Sequence, residues 1–385
     1  MGGFIRKRGK DTWQIVYDAP KEFPGQARNR KYLTFHGPER EAKKKLREIL
    51  RQIDTNTYVD SKKMTLEDYL RRWLRDYCET ANLTQTTIDG YTVIIEKHLI
   101  PALGDHRLDK LQPLHIQEYY TQKLKSGRAD GKGGLSPRTV LHHHRLLHKA
   151  FETAIKWQLL HRNICDAVEP PKAEQYEGDI YDEKQIDNIL PYFVGTRLYI
   201  PILLALATGT RRGEVLAFRW KDLNKKAKTI TVNQNLVVTR EDGPQFKLPK
   251  TKKSRRQITL PDTIFEVLKK HKIKQEEEKL RIGEAYEDND LICCLEDGSP
   301  WHPGTFSNYF HDILEANGLP KIRFHDLRHT HASLLLKQGV HPKIVSERLG
   351  HSRIGITLDL YSHVMPGMQE QVANQLDQQI FRKIK

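Results

Sequence analysis

The chain has 385 residues, enough for two or three domains. Its 64 Lys and Arg residues exceed its 49 Asp and Glu residues by 15, and this positive charge favours polyanionic partners, nucleic acid before an acidic membrane surface. No stretch approaches the roughly 18 uninterrupted apolar residues of a transmembrane helix, so we expect no membrane partner.

The cysteine spacing argues against both a disulfide framework and a zinc site. The chain has no CxxC pair, and the start of the chain is too polar for a secretory signal. We therefore expect reduced thiols in an intracellular protein. The four cysteines are Cys78, Cys165, Cys293 and Cys294.

Residues 1–60 predict a small sheet followed by a helix. Three β-rich stretches, at 4–8, 13–17 and 31–35, are separated by loop sequences, and an amphipathic helical pattern begins at 39. A sheet with basic residues on one face can enter the major groove of DNA, and the alternative is an accessory domain with a solvated basic face. The strand residues that we expect to contact DNA are Arg6, Arg8, Arg30 and Lys31.

Residues 64–170 predict a unit of four helices, followed by a linker at 171–179. Thr65 and Ser136 are expected N-caps, the second with a proline at N1. We expect the last helix to lie on DNA, with Arg138 and Arg145 toward phosphate.

A run of histidines on this last helix invites a metal-site interpretation. Consecutive residues of a helix point in different directions, so only His144 and His148 share a face. No nearby Cys or Glu completes a tetrahedral set. We therefore expect no metal there and place His142 on the DNA-facing side instead.

The third segment, 180–385, carries the strings that indicate chemistry. Arg211 in ATGTRRGEV is predicted at a helix start, where its guanidinium can donate to phosphate oxygens. The adjacent Arg212 must project elsewhere, toward the DNA backbone. The basic run LPKTKKSRRQI around Lys252 either supplies a general acid for a leaving 5′ oxygen or only contacts phosphate, and Arg255 in it is a predicted DNA contact.

The string FHDLRHTHAS places His325 and Arg328 three residues apart at a helix start, where both can hydrogen-bond one phosphate. His329 and His331 are expected to point away from that face. His351 follows the next helix in LGHS, and Tyr361 in LDLYSHV lies ten residues further on. The polar residues around it in the sequence favour an exposed, reactive tyrosine over one buried in the core.

A tyrosine nucleophile suits reversible breakage of a DNA strand. Attack on a phosphodiester keeps the bond energy in a phosphotyrosine, so a DNA 5′-hydroxyl can reverse the step without ATP. The phenol is almost fully protonated at pH 7, so donors around the phosphate must stabilise the developing charge. No acidic cluster has metal-ligand spacing, so a metal is not required.

The order R…K…HxxR…H…Y resembles the tyrosine recombinase family, in particular the integrases of phages and conjugative transposons. The matching strings span nearly all of 180–365; 64–170 resembles the core-binding domain of the family and 1–60 its arm-type DNA-binding domain. The resemblance implies an α+β, mostly helical fold: an N-terminal three-stranded sheet with a helix, a helical core-binding domain, and a mixed α/β catalytic domain that ends in a tail helix. It implies a phosphate-activating set and a nucleophile, Tyr361. The activating residues are Arg211, Lys252, His325, Arg328 and His351.

The same resemblance implies a site-specific DNA recombinase that integrates and excises a mobile element through a 3′-phosphotyrosyl intermediate and a Holliday junction. It implies a homo-tetramer on double-stranded attachment sites, a possible excisionase, no cofactor, and a bacterial cytoplasmic, nucleoid-associated setting. Lys250 and Lys253 are alternatives to Lys252, and the tail, whose apolar stripe is Met368, Val372, Leu376 and Ile380, can dock in cis or in trans. The rival class is a DNA-binding regulator without catalysis.

Overall fold

The computed structural model describes residues 2–19, 29–54, 64–128, 130–173, 180–249 and 255–361, with the backbone alone for 359–361, and the single positions Ala373, Asp377 and Ile380. By its internal contacts the chain divides into two compact units, Met1–Gln175 and Tyr176–Lys385.

The first unit begins with an antiparallel sheet in the order β1-β2-β3. Its elements are β1 (Gly3–Gly9), β2 (Thr12–Asp18), β3 (Arg30–His36) and the helix α1 (Glu39–Asp54). One sheet face packs on α1, where Ile15 meets Leu46, Ile49 and Ile53 in a small core. A Cβ on Gly3 would lie 2.8 Å from Leu46 Cδ1, so the glycine allows the close approach of strand and helix.

Helices follow where the apolar patterns predict four of them, and the second predicted helix is divided in two. They are α2 (Leu66–Thr80), α3 (Gln85–Ile94), α4 (Ile100–Leu103), α5 (Pro113–Ser126) and α6 (Pro137–Lys156). One π-helical turn at Ile95–Leu99 joins α3 to α4. Thr65 and Asp68 form a capping box at α2, and Ser136 caps α6 by accepting from the Thr139 N–H, so both predicted N-caps are confirmed.

The second unit surrounds a large apolar core with helices and short strands. Its helices are α7 (Glu183–Ile189), α8 (Tyr199–Thr208), α9 (Arg212–Val215), α10 (Asp262–Ile282), α11 (Pro303–Ala316), α12 (Asp326–Lys337), α13 (Pro342–Leu349) and α14 (Ile354–Tyr361). Helix α8 is apolar almost all round because most of its residues are buried in that core. Helix α14 packs on α12 and α13.

Two small sheets lie in the described part of the second unit. Their strands are β4 (Leu223–Asn224), β5 (Thr229–Thr231), β6 (Asn235–Thr239), β7 (Gly243–Lys247) and β8 (Gln257–Thr259). The first sheet has the order β4-β5-β8, and β6 and β7 form a separate hairpin. The α+β, mostly helical fold class is therefore confirmed.

None of the helices in the described ranges has the length and apolar character needed to cross a membrane. The stripe predicted on the C-terminal tail lies outside the described residues except for Ile380, whose side chain is exposed.

Candidate active site

Arg211 stands at the start of α9, as predicted, and Glu214 holds it there. The Arg211 backbone N–H donates to Glu214 Oε2 and its Nη1 donates to Oε1, each at 3.0 Å. The Arg211 side chain is 42% exposed while Glu214 is 6% exposed. The guanidinium is therefore held on its buried side by Glu214 and is open to solvent on its other side. That geometry leaves donors available for an anionic ligand.

Glu214 is an ionised carboxylate inside the protein. Burial alone would raise the pKa of Glu214, but the charge and hydrogen bonds of Arg256 and then of Arg211 outweigh burial, and the pKa lies below its usual value. Two guanidinium groups therefore share one buried negative charge.

Arg328 is buried on α12 and joins two turns. Its Nη1 donates to the carbonyl of Gly209 at 2.7 Å and to the carbonyl of Leu349 at 2.8 Å. Gly209 ends α8 two residues before Arg211, and Leu349 ends α13 two residues before His351. One predicted catalytic residue thus fixes the chain on which two others sit.

Gly209 has a conformation and surroundings that admit no side chain. Its φ of +64° lies in the left-handed region, and a Cβ would come within 2.4 Å of Cδ2 of His331. His331 itself is buried: its Nδ1 donates to the Leu206 carbonyl at 2.6 Å, and its Nε2 accepts from Arg348. His331 therefore has the structural role that was expected.

His325 is exposed at the start of α12, and His329 lies beside it. The two rings meet edge to face with centroids 5.3 Å apart. The expectation that His329 points away from the site is wrong, because residues i and i+4 share a helix face. Desolvation of the ring by the surrounding protein is the main cause that lowers the pKa of His325, and the charges of His329 and Arg328 lower it further. The His325 ring is therefore neutral at pH 7.

His351 is half-buried directly after the left-handed Gly350 that ends α13. Its Nδ1 shares a hydrogen bond of 2.8 Å with Oγ1 of the buried Thr357 on α14. Burial, and then the positive charges of Arg328 and Arg211, lowers the pKa of His351 to about 3. Its ring is thus neutral, held by one nitrogen, and surrounded by fixed cations.

The four predicted catalytic residues whose side chains are described lie near one another. The charges of Arg328, Arg211, His329 and Arg256 all act on His351. Arg211 and His325 also line one cavity of about 930 Å³ together with Arg212, whose Nη1 donates to Ser307 Oγ. A group of donors with excess positive charge at one place is suited to a phosphodiester and to the charge that develops on it.

The structure does not describe the side chains of two of the predicted catalytic residues. Tyr361 is the last residue of α14, seven residues after its start at Ile354, and only its backbone is described. Lys252, with its alternatives Lys250 and Lys253, lies outside the described residues. Their roles stay predictions.

Sequence reasoning missed two arginines, Arg256 with its buried side chain and the half-buried Arg348. Arg256 donates to both oxygens of Glu214, and Arg348 donates to the carbonyls of Ala207 and Thr259. The available signal was the pair Arg255-Arg256 at the edge of a strand, since neighbouring strand residues face opposite sides. Arg255 is exposed and donates to Asn233 Oδ1 at 2.7 Å, so it has room to reach DNA.

The predicted DNA contacts on the N-terminal sheet fall on two faces. Arg6 pairs with Gln14 across β1 and β2, and Arg8 donates to the same Gln14 side chain. The alternation of strand residues puts Arg30 on this face too. Lys31, by contrast, pairs with the buried Tyr17 on the face that packs against α1.

On α6 the predicted contacts share one exposed stripe. Arg138, His142 and Arg145 are all exposed, whereas His143 is buried and bonded to Tyr119. His144 bonds to the Tyr120 hydroxyl. No group of three or more His, Cys, Asp or Glu residues that could hold a metal ion occurs among the described residues.

A cluster of arginine and imidazole donors on a mostly helical chain suits an enzyme that transfers DNA strands. The comparisons agree with this class. The phage integrase family model matches residues 180–367, and the N-terminal SAM-like domain of phage integrases matches residues 65–124. The chain is 27% identical over 379 residues to a XerC-like tyrosine recombinase of Caldanaerobacter subterraneus subsp. tengcongensis, with 94% of each chain covered.

Solved structures show the same fold. The Tn1549 transposon integrase in complex with a circular intermediate DNA matches with a TM-score of 0.68 at 20% identity, over 81% of this chain and 99% of that one. A lambda integrase tetramer bound to a Holliday junction matches with a TM-score of 0.55 at 18% identity, over 92% of this chain and 94% of that one. The chain belongs to the phage integrase family and is a tyrosine-type site-specific DNA recombinase of a mobile element.

Proposed function

We propose that the chain cuts and rejoins DNA with Tyr361 as nucleophile. The phenol releases its proton to solvent as its oxygen forms a bond to the scissile phosphorus, the bond from phosphorus to the 5′ oxygen breaks, and a 3′-phosphotyrosyl ester remains. Lys252 gives its proton to the leaving 5′ oxygen. Rejoining runs the same step backwards with a 5′-hydroxyl from the partner strand.

The observation that carries this proposal is that Arg328 bonds to the turns before Arg211 and His351, that Arg211 and His325 line one cavity, and that His351 bonds to Thr357 on the helix that ends at Tyr361. Arg211 and the two neutral imidazoles would donate to the non-bridging oxygens, and Arg328 would supply charge from below. Such donors act on the charge of the transition state, and removing one typically costs about 10²–10³ in rate.

The assembly follows from the two-step exchange. Two duplex attachment sites need four cleavages, so we propose a homo-tetramer that passes through a Holliday junction, as the lambda integrase tetramer was captured. An excisionase that directs excision, and residence at the bacterial nucleoid, belong to the same proposal. The N-terminal sheet would bind arm-type sites through Arg6, Arg8 and Arg30, and α6 would bind the core site.

A nicked suicide duplex that carries the attachment-site core tests the nucleophile. The short 5′-hydroxyl fragment diffuses away after cleavage, so the covalent protein–DNA adduct accumulates and migrates slowly on a denaturing gel. Tyr361→Phe should abolish the adduct and leave DNA affinity unchanged. An adduct formed by this variant would show that another residue attacks, and a wild-type chain that binds without any adduct would indicate a regulator.

A further inference from the structure

One buried arginine outside the predicted set connects the segments that carry the candidate catalytic groups. The Arg256 side chain is 7% exposed. It directly precedes β8 and follows Lys252 by four residues in the sequence. Its guanidinium donates to two segments that are distant from it in the chain.

The first connection runs to Arg211 through Glu214. Arg256 Nη2 donates to Glu214 Oε2 at 2.9 Å, and the same carboxylate accepts from the backbone and the guanidinium of Arg211. A carboxylate held by two arginines has little rotational freedom. Arg256 therefore fixes the group that fixes Arg211.

The second connection runs to the turn before His351. Arg256 Nε donates to the carbonyl of Arg348 at 2.7 Å, three residues before His351. In return, Arg348 Nη2 donates to the carbonyl of Thr259 at 3.1 Å, three residues after Arg256. The segment from Arg256 to the end of β8 and the end of α13 are thus held together by hydrogen bonds in both directions.

The turn passes directly over the guanidinium of Arg256. A Cβ on Gly350 would lie 2.9 Å from Arg256 Nη1 and 3.0 Å from its Cζ, and the φ of Gly350 is +70°. The glycine that leads into His351 therefore leaves room for Arg256 as well as forming the left-handed turn.

We propose that Arg256 is a positioning residue for DNA cleavage. It holds Arg211 and His351 in place relative to β8, the strand that follows Lys252 in the sequence. The inference rests on the proposed function. Arg256 does not bind the phosphate, because its side chain is buried and donates to Glu214 and to Arg348. Its effect is on the geometry of the groups that do.

The test compares Arg256→Ala and Arg256→Lys with wild type on the nicked suicide duplex at saturating DNA. Arg256→Ala should form adduct about 10²-fold more slowly, because the groups that Arg256 positions lose their alignment, with its DNA affinity kept. Arg256→Lys should be intermediate at best, because an ammonium cannot donate in two fixed directions. Arg281→Ala, an exposed arginine on α10 paired with Glu296, is the matched control and should behave as wild type.

Free guanidinium at millimolar concentration separates positioning from general damage to the fold. It should restore part of the cleavage rate of Arg256→Ala by entering the vacated site, while methylammonium should not, and neither should accelerate wild type. A wild-type cleavage rate in Arg256→Ala overturns the inference. It is also overturned if Arg256→Lys loses DNA affinity and cleavage rate equally and guanidinium does not rescue Arg256→Ala. If wild type forms no adduct, the proposed function itself fails instead.

Discussion

Arg328 donates through Nη1 to the carbonyl of Leu349 at 2.8 Å, so a buried cation of α12 holds the turn that presents His351. The same Nη1 reaches the carbonyl of Gly209, ahead of Arg211. The segments that carry the candidate catalytic residues Arg211 and His351 are therefore both held by one guanidinium. This makes the active site sensitive to the shape of that side chain as well as to its charge.

Arg328→Lys is expected to lower the rate of adduct formation by about 10²–10³, because the ammonium cannot serve both carbonyls and still act on the phosphate. DNA affinity should change far less, since most phosphate contacts lie elsewhere. Single-turnover cleavage and a filter-binding titration measure the two quantities. A lysine variant that cleaves at the wild-type rate would contradict the assigned role.

Glu214→Gln is expected to destabilise the chain at pH 7 by up to about 3–5 kcal/mol, since Arg256 would lose its buried counter-charge. Its pH dependence has a definite sign. The folded pKa of Glu214 lies below the usual 4.5, so its stabilisation is present above that pH and lost as pH falls through the folded pKa.

Urea unfolding between pH 3 and 7 checks both parts of this prediction. The loss of stability in acid should be smaller in Glu214→Gln than in wild type. Glu315→Gln is the control, because Glu315 forms an exposed pair with Lys321 and its removal should have little effect. Equal acid profiles for wild type and Glu214→Gln would contradict the buried ionised carboxylate.

Local rules were sufficient for part of the fold and the site. The caps Thr65 and Ser136 and the helix start at Arg211 follow from short-range hydrogen bonding, which the sequence expresses directly. The order of motifs was sufficient to name the family. The caps and the helix start involve residues within one or two turns of each other.

Pairings between distant residues could not be predicted. Arg256 meets Glu214 across 42 positions and Arg348 across 92, and a run such as KKSRR gives no indication of which arginine turns inward. The position of His329 beside His325 is different, because helical spacing alone would have predicted it. Which distant residues meet is decided by how the helices and strands pack around the apolar core.

The His351 ring should stay neutral throughout the physiological range. Its folded pKa is about 3, well below the usual 6.5, because of burial and the neighbouring cations. The unfolded chain takes the proton first, so stability present above pH 6.5 is lost progressively as pH falls toward 3. NMR of the ring protons should show no titration of this histidine between pH 5 and 8, with His351→Gln used to assign the signal. A midpoint near 6.5 would contradict the assignment.

A substrate with sulfur in place of the 5′ bridging oxygen should identify the general acid among Lys250, Lys252 and Lys253. A thiolate leaves without protonation because thiol pKa values are near 8.5, far below those of alcohols. Lys252→Ala should cleave the ordinary duplex slowly and the sulfur-substituted duplex at nearly the wild-type rate. Rescue of Lys250→Ala or Lys253→Ala, with none for Lys252→Ala, would move the role to that neighbour.

The two faces of the N-terminal sheet should differ in their contribution to DNA binding. Arg6 lies on the face that carries Gln14, while Lys31 lies on the face that packs on α1. Arg6→Ala should reduce the slope of log affinity against log salt by about 0.9 for each phosphate that the arginine neutralises. Lys31→Ala should leave the slope unchanged. Titrations of a duplex with full-length protein at several salt concentrations measure the slopes, and a larger change for Lys31→Ala than for Arg6→Ala would reverse the assignment of the DNA-binding face.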